Sequence, residues 1–143
     1  MESALKTVRD SFGEDHISRA AANKGGTVLG WIDDIGSYGG NLWELDPLVM
    51  RRDLQCRCLG RTFVVDLGEC VRSAVVTPSG LGTDDEIGMP TLTGVDLYPS
   101  VLEHLADIRN VGGHPYEFYQ KLGFSIIGAM PDGNGPGKPN IYI

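Results

Sequence analysis

The stretch N-L-W-E-L-D-P-L-V-M, residues 41–50, predicts a β-strand with an irregularity in its middle. It is rich in large apolar and aromatic residues, as strands are. Pro47 has no N–H to give to a neighbouring strand, so we expect a bulge or a sheet edge at this position. A bulge matters for function because it turns backbone N–H groups away from the sheet, where a ligand can use them.

A basic, glycine-containing loop over 51–60 follows this strand and leads into a predicted helix. Apolar residues recur with helical spacing from Leu59 to Val71. The free N–H groups and the dipole of a helix N-terminus favour an anion. Four arginines add positive charge to the segment: Arg51, Arg52, Arg57 and Arg61. We therefore expect an anion site here, with a solvated basic surface as the alternative.

The rest of the chain predicts alternating helices and strands. An amphipathic helix over 2–12 precedes a β-hairpin of strands 17–22 and 27–35. The later elements are, in order, a strand at 75–81, an acidic loop at 82–86, helices at 97–108 and 115–122, and strands at 124–130 and 140–143. This order is typical of an α/β or α+β protein around one sheet, and we expect a single domain over 1–143.

The charge balance narrows the class of partner. The chain has 12 basic and 19 acidic residues, a formal net charge of −7. That excess disfavours broad nucleic-acid binding, which needs clustered Lys and Arg. It favours a cationic small molecule if the carboxylates cluster, or else solvated surface acidity. No segment approaches the ~18 apolar residues of a membrane span, and no apolar signal segment follows Met1, so we expect a cytoplasmic protein without a membrane partner.

Three cysteines bear on metal and disulfide chemistry: Cys56, Cys58 and Cys70. The number is odd, and His104 and His114 lie too far along the chain to form a finger-like set with them. We expect no disulfide framework and no metal, and interpret the cysteines as buried reduced thiols.

Four ordered blocks carry a resemblance to a known family. They are 43–49 (W-E-L-D-P-L-V), 82–86 (G-T-D-D-E) with 91–98, 114–124 (H-P-Y-E-F-Y-Q-K-L-G-F) and 131–141. Together they resemble the aminoglycoside 6'-N-acetyltransferases of the GCN5-related N-acetyltransferase superfamily, over roughly residues 25–143. The resemblance implies a central mixed sheet flanked by helices, with acetyl-CoA as co-substrate in a gap where strands 42–50 and 75–81 splay.

The resemblance also implies the residues that hold the coenzyme. The superfamily's pyrophosphate loop reads Gln/Arg-x-x-Gly-x-Gly/Ala, and Gln55 to Gly60 align with it, with Cys58 in place of the first glycine. The implied cofactor-binding residues are Val49, Met50, Gln55, Cys56, Arg57, Cys58, Leu59, Gly60 and Arg61. A side chain at Cys58 would crowd the phosphates or force a different backbone angle.

The implied catalytic residues follow from the needs of acyl transfer, which are a deprotonated amine, a donor for the developing oxyanion and a proton for the leaving thiolate. By the resemblance, Glu44 orients the amine and takes its proton through water, and the Leu48 N–H binds the acetyl oxygen. Tyr119 acts as an acid or hydrogen-bond donor to the departing sulfur. The alternatives are an outward-facing strand residue for Glu44 and core packing for Tyr119.

The acceptor site implied by the resemblance is acidic. Its predicted substrate-binding residues are Trp43, Glu44, Asp46, Asp84 and Asp85, with Glu86 beside them. Asp46 stands where the family often has histidine, and Asp84 and Asp85 have the alternative of capping the next segment. The expected reaction is acetyl transfer to a primary amine, the 6'-amine, of an aminoglycoside or similar polycation, by direct attack in a ternary complex.

The start of the chain departs from the family pattern. We expect the usual first strand and helix to be missing and a homodimer to cover the open side of the acceptor pocket. The alternative function is a truncated, catalytically weak relative that binds acetyl-CoA or a cationic small molecule.

Overall fold

The computed structural model describes residues 2–74, 78–85 and 87–143. The chain divides into two compact units, Met1–Gly80 and Leu81–Ile143. Each unit has its own sheet, and the single domain expected over 1–143 stays a prediction. No helix among the described residues is long and apolar enough to cross a membrane.

The first unit begins with helix α1, Glu2–Asp10, which ends two residues earlier than predicted. After it, the N–H of Gly13 donates to the carbonyl of Asp10 at 2.9 Å and turns the chain toward the sheet. The apolar side of this segment faces solvent, since Leu5, Val8 and Phe12 are exposed.

The predicted hairpin is confirmed as strands β1, His16–Ala22, and β2, Val28–Ser37. The two strands pair antiparallel, with His16 opposite Ile35. Asn23 shapes the turn, because its side-chain oxygen accepts hydrogen bonds from the N–H groups of Gly25 and Thr27.

Strand β3, Leu42–Met50, lies antiparallel to β2 and carries the predicted irregularity. Ile32 pairs with Leu48 and Asp34 pairs with Leu45, so Asp46 and Pro47 together face the single residue Asp33. Two residues opposite one is a β-bulge. The bulge predicted from Pro47 is confirmed.

Helix α2, Leu59–Ala74, follows the basic loop as predicted. Four of its apolar side chains are buried: Phe63, Val64, Leu67 and Val71. The chain then returns as β4, Ser79–Gly80, which pairs parallel with β3. The sheet order is β1-β2-β3-β4, and it is mixed, as expected. Residues 75–77 of the predicted strand lie outside the described residues.

The second unit holds a three-stranded antiparallel sheet of β5, Gly82–Asp84, β6, Gly128–Met130, and β7, Asn140–Tyr142, in the order β5-β7-β6. The loop predicted over 82–86 is therefore wrong at its start, since 82–84 pair with β7. Glu86 lies outside the described residues.

The helices of the second unit are shorter than predicted. Helix α3 covers Val101–Ala106, and α4 covers Tyr116–Gln120. The late start of α3 has a local cause, because the residue before Pro99 is biased away from helical angles and the N–H of Tyr98 is bound by the Asp96 side chain.

The strand predicted over 124–130 is confirmed only at its end, Gly128–Met130. Gly123, at φ +99°, lies in the turn that follows α4. The N–H of Phe124 then donates back to the carbonyl of Tyr119 at 3.2 Å. That bond ties Phe124 to the helix end instead of to a neighbouring strand.

We expect Gly30→Ala to destabilise the first unit by about 1–3 kcal/mol. A Cβ at Gly30 would lie 2.8 Å from the Phe63 ring and 3.0 Å from the Val49 carbonyl oxygen. Gly36→Ala is the matched control on the same strand, since its nearest contacts lie at 3.5 to 3.6 Å. Urea unfolding followed by circular dichroism measures both, and equal stability of the two variants would contradict this packing.

Candidate active site

The outer edge of β3 is the first feature of the site. Hydrogen-bonded and non-bonded pairs alternate in an antiparallel ladder. The N–H of Arg51 donates to the carbonyl of Leu29 at 3.0 Å, directly after the pair of Gly30 with Met50. The pairs that hold Leu48 and Met50 are therefore non-bonded ones. The N–H groups of these two residues point away from β2.

The partner strand on that edge is short. Among the described residues, β4 pairs with β3 only at Trp43 and Glu44. The N–H of Trp43 also donates to the carbonyl of Pro78 at 3.1 Å. Leu48 and Met50 lie beyond this pairing, so within the first unit their outward N–H groups meet no described strand.

The loop before α2 has an unusual backbone. Cys56 and Cys58 have φ values of 58° and 64°, in the left-handed region that favours glycine. The loop thus keeps a glycine-like conformation although cysteine stands at the first glycine position of the superfamily pattern. The carbonyl of Cys58 accepts the Thr62 N–H at 3.1 Å, which starts the helix and leaves the N–H groups of its first turn without intrahelical acceptors.

Three of the four arginines of this segment, Arg51, Arg57 and Arg61, lie in two different environments. Arg51 forms a two-pronged ion pair with Asp53, at 3.0 and 2.9 Å. Hydrogen bonding from Arg51 lowers the pKa of the Asp53 carboxyl. Arg57 and Arg61 are exposed at the start of α2. These two side chains are therefore the better placed to meet an anion at the helix N-terminus.

The thiols are not buried as expected. Cys56 and Cys58 are exposed and Cys70 is partly exposed, and all three are free. The expectation of buried thiols is wrong because two of them lie in the solvated loop rather than on the inner face of α2. No group of three or more His, Cys, Asp or Glu side chains in the described part of the chain is arranged to hold a metal ion.

The two faces of the first sheet carry different side chains. A Cβ on Gly30 would touch Phe63 of α2, so Gly30, Ile32, Asp34 and Gly36 face that helix. Trp43 pairs with Gly36 on this face and is buried. Glu44 pairs with Ile35 and is exposed on the opposite face.

Trp43 therefore packs against the α2 side of the sheet, and its burial disfavours contact with a ligand beside Glu44. Asp46, which was predicted to lie near the amine, is exposed at the bulge.

In the second unit, Asp84 and Asp85 have different environments. Asp84 is exposed at the end of β5, whereas Asp85 is fully buried. The Asp85 carboxylate accepts hydrogen bonds from the N–H groups of Gly88 and Met89, at 2.9 and 2.8 Å, and from the Thr93 hydroxyl. Asp85 thus organises its own loop, which favours the capping alternative over direct contact with a substrate.

Tyr119 is buried on α4, with its ring against Phe118 and Phe124 at centroid distances of 4.9 and 5.7 Å. His114 fixes the start of that helix, because its Nδ1 accepts the N–H of Tyr116 at 3.2 Å. Burial lowers the pKa of His114, which keeps the ring neutral. The packing of Tyr119 matches the core alternative, and its role toward a leaving sulfur stays a prediction.

Solved structures similar to the chain decide the family. One is an aminoglycoside 6'-N-acetyltransferase complexed with coenzyme A, 35% identical, with a TM-score of 0.92 over 99% of this chain and 78% of that chain. Another is an aminoglycoside 6'-N-acetyltransferase from Enterococcus faecium, 36% identical, with a TM-score of 0.90 over the same shares. The chain belongs to the aminoglycoside 6'-N-acetyltransferases.

A third structure, an aminoglycoside 6'-acetyltransferase type Ii, is 29% identical, with a TM-score of 0.72 over 99% of this chain and 75% of that chain. No protein-family model and no curated protein matches the sequence. The family and the mixed-sheet fold expected from the four sequence blocks are confirmed.

This family member buries two acidic residues that sequence reasoning missed, Asp33 and Asp34 on β2. Asp34 lies on the α2 face, where the Ser79 hydroxyl donates to one of its oxygens at a long 3.5 Å. Its other oxygen has no hydrogen-bond partner among the described residues. Two consecutive acids inside a strand predicted to be mostly apolar were the available signal.

Burial raises the pKa of Asp34 to about 7. The Ser79 hydrogen bond opposes this shift, and the charges of Asp33 and Glu44 add to it. The protonated form of a buried carboxyl with so weak a partner is the more stable one in the fold.

We expect the stability of the family member to fall as pH rises through 7, because Asp34 must then ionise inside the fold. The ordinary value is 3.8, so the contribution is fully present below about pH 4 and lost above the folded pKa of about 7. Asp34→Asn removes this loss, so we expect its free energy of unfolding to exceed that of the parent by about 2–4 kcal/mol at pH 8.5. Chemical unfolding at pH 5 and 8.5 measures it, with Asp107→Asn as the exposed control. Parallel pH profiles of parent and Asp34→Asn would contradict the burial argument.

Proposed function

We propose that the chain transfers the acetyl group of acetyl-CoA to a primary amine, the 6'-amine, of an aminoglycoside, by direct attack in a ternary complex. The observation that carries the proposal is the outward Leu48 N–H on the open edge of β3, in a chain 35% identical to a 6'-N-acetyltransferase complexed with coenzyme A. Glu44 lies four residues away on the same strand.

The coenzyme is assigned to the edge of β3 and the loop that follows it. The residues would be Val49, Met50, Gln55, Cys56, Arg57, Cys58, Leu59, Gly60 and Arg61. The fit rests on the left-handed angles of Cys56 and Cys58 and on the free N–H groups at the start of a 16-residue helix. When bound, acetyl-CoA supplies an acyl thioester whose carbonyl carbon accepts the amine.

Glu44 is assigned to the acceptor amine. Its carboxylate is exposed on the face of the sheet opposite α2, where an ammonium group can reach it. A carboxylate both orients an ammonium and accepts its proton, directly or through water. Asp46 at the bulge extends the negative potential along β3.

The Leu48 N–H is assigned to the acetyl oxygen, because a backbone donor fixed by the sheet needs no reorganisation as charge develops there. Tyr119 is assigned to the departing sulfur, as a proton or hydrogen-bond donor. Asp84 is assigned to a further ammonium of the acceptor. Trp43 and Asp85 are buried, so in this proposal they support the site by packing and by loop geometry.

The setting of the enzyme is also proposed by resemblance to the family. We place it in the cytoplasm, where acetyl-CoA is available, as a homodimer without a nucleic-acid or membrane partner. The net charge of −7 supports a polycationic substrate over a polyanionic one.

We expect Arg57→Gln and Arg61→Gln to weaken coenzyme A binding, each by about tenfold, because each removes a cation from the proposed phosphate site. Calorimetry at low and moderate salt measures the affinity, and the parent should lose more affinity with added salt than the variants do. Arg72→Gln, in the last turn of the same helix, is the matched control. Equal affinities for all four proteins would remove the loop from the coenzyme site.

We expect Glu44→Gln to lower kcat by about 100-fold, since glutamine keeps the shape and loses the proton acceptor. Release of the coenzyme A thiol with tobramycin or kanamycin as acceptor measures turnover. The control is Glu69→Gln, an exposed acid on α2. Coenzyme binding by the parent without acetylation of any amine would instead establish the alternative, a catalytically weak relative.

A further inference from the structure

A row of three residues crosses the first sheet beside the proposed amine site. Ile35 of β2 pairs with His16 of β1 on one side and with Glu44 of β3 on the other. Residues directly opposite each other in adjacent strands project from the same face of the sheet. His16 and Glu44 therefore share the face opposite α2. Two strand spacings separate their Cα atoms by about 10 Å.

His16 is held by the buried acid on the same face. Its Nδ1 lies 2.6 Å from the Asp33 carboxylate. The Asp33 side chain is 1% exposed and that of His16 is 16% exposed. The other Asp33 oxygen has no hydrogen-bond partner among the described residues, so the imidazole is the partner that this buried carboxylate has.

This pairing orients the ring. With Nδ1 turned to Asp33, the other edge of the ring lies near Gly13, whose added Cβ would lie 3.2 Å from Cδ2 and 3.9 Å from Nε2. A carboxylate that accepts the Nδ1 proton fixes the tautomer in which Nε2 accepts a proton. Because solvent reaches the side chain, water can connect Nε2 to the surface that carries Glu44.

We propose that His16 is the proton acceptor beyond Glu44, connected to it by water, and that Asp33 is its positioning residue. This inference rests on the proposed function and adds the exit route for the proton. The attacking ammonium loses two protons in all as its nitrogen lone pair forms the C–N bond and the C–S bond breaks. One proton ends on the thiolate sulfur; the other passes by way of Glu44 and water to His16 Nε2 and then to bulk water.

The span supports a water-mediated route over direct contact. The Ile35 side chain projects from the same face between His16 and Glu44, so a connection between their polar ends passes through water outside Ile35. A purely structural role, in which His16 only fastens β1 to β2, is the competing explanation.

His16→Asn separates these explanations. The asparagine amide nitrogen takes the position of Nδ1 and can still donate to Asp33, but it cannot be protonated. We expect kcat at saturating substrates to fall about 10- to 100-fold with a melting temperature close to the parent's, and the acidic limb of the pH profile of kcat to keep only the part that Glu44 sets. Asp33→Asn keeps the imidazole, so we expect a loss of about tenfold with the limb retained. His104→Asn is the matched control and should match the parent.

Other titratable groups lie close to His16 in the sequence or across the sheet, and one of them needs its own control. They are Asp10, Glu14 and Asp15 before β1, Asp33 and Asp34 on β2, and Glu44 on β3. Burial raises the pKa of Asp34 to about 7, so Asp34 also titrates near neutral pH and Asp34→Asn is profiled alongside. An acidic limb that is unchanged from the parent in His16→Asn and altered in Asp34→Asn would overturn the assignment.

A second readout needs no turnover. Nitrogen-15 spectra of the protein labelled at its three histidines report the tautomer of each ring, and the His16→Asn spectrum assigns the His16 signals. We expect protonated Nδ1 and unprotonated Nε2 in the parent above neutral pH, and loss of that preference in Asp33→Asn. The opposite tautomer, or a His16→Asn variant with kcat within twofold of an active parent, overturns this inference alone. A parent that binds coenzyme A and acetylates no amine overturns the proposed function and the relay together.

Discussion

The shift of register at the β3 bulge is the constraint from which the rest of the site follows. Before the bulge, the outward N–H groups belong to Trp43 and Leu45, and unbroken alternation would continue them at 47 and 49. Position 47 is a proline and has no N–H to offer. The extra residue moves the outward donors to Leu48 and Met50, and among the described residues β4 pairs with β3 only up to Glu44. A backbone donor left without a strand partner needs another acceptor, which is why the proposed function assigns the acetyl oxygen to this edge.

The same strand alternation separates the two buried acids of β2. Asp34 projects toward α2, where its described partner is a hydroxyl at 3.5 Å and where burial raises its pKa to about 7. Asp33 projects to the other face and meets an imidazole nitrogen at 2.6 Å. One residue type thus takes two roles, because consecutive positions of a strand meet different partners. The pair of His16 and Asp33 therefore lies on the face that carries Glu44. Asp34 lies in the core, where burial favours its neutral form.

Much of this arrangement was readable in the sequence, and the failures have identifiable causes. Pro47 predicted the bulge, since a missing donor is a local property of one residue. Spacing from Leu59 predicted α2 because one continuous face is buried. The boundaries of strands in the second unit were predicted wrongly where contacts between residues distant in sequence determine them. Residues 82–84 form a strand because they pair with 140–142. His16 and Asp33 escaped notice because 17 positions separate them and only strand register brings them together.

The loop that the proposed function assigns to the coenzyme has a glycine-like backbone at residues that are not glycine. Non-glycine residues with left-handed φ cost about 1–3 kcal/mol each, and this loop holds two, Cys56 and Cys58. The loop is fixed at both ends. Upstream, the Arg51 guanidinium donates hydrogen bonds to the Asp53 carboxylate. The backbone carbonyl of Arg51 accepts the Leu54 N–H at 2.9 Å. Downstream, the carbonyl of Cys58 starts α2. With both ends held, the segment between them has few other conformations, so a glycine-like conformation persists with cysteine side chains, and the donor groups of the helix start are oriented before any anion arrives.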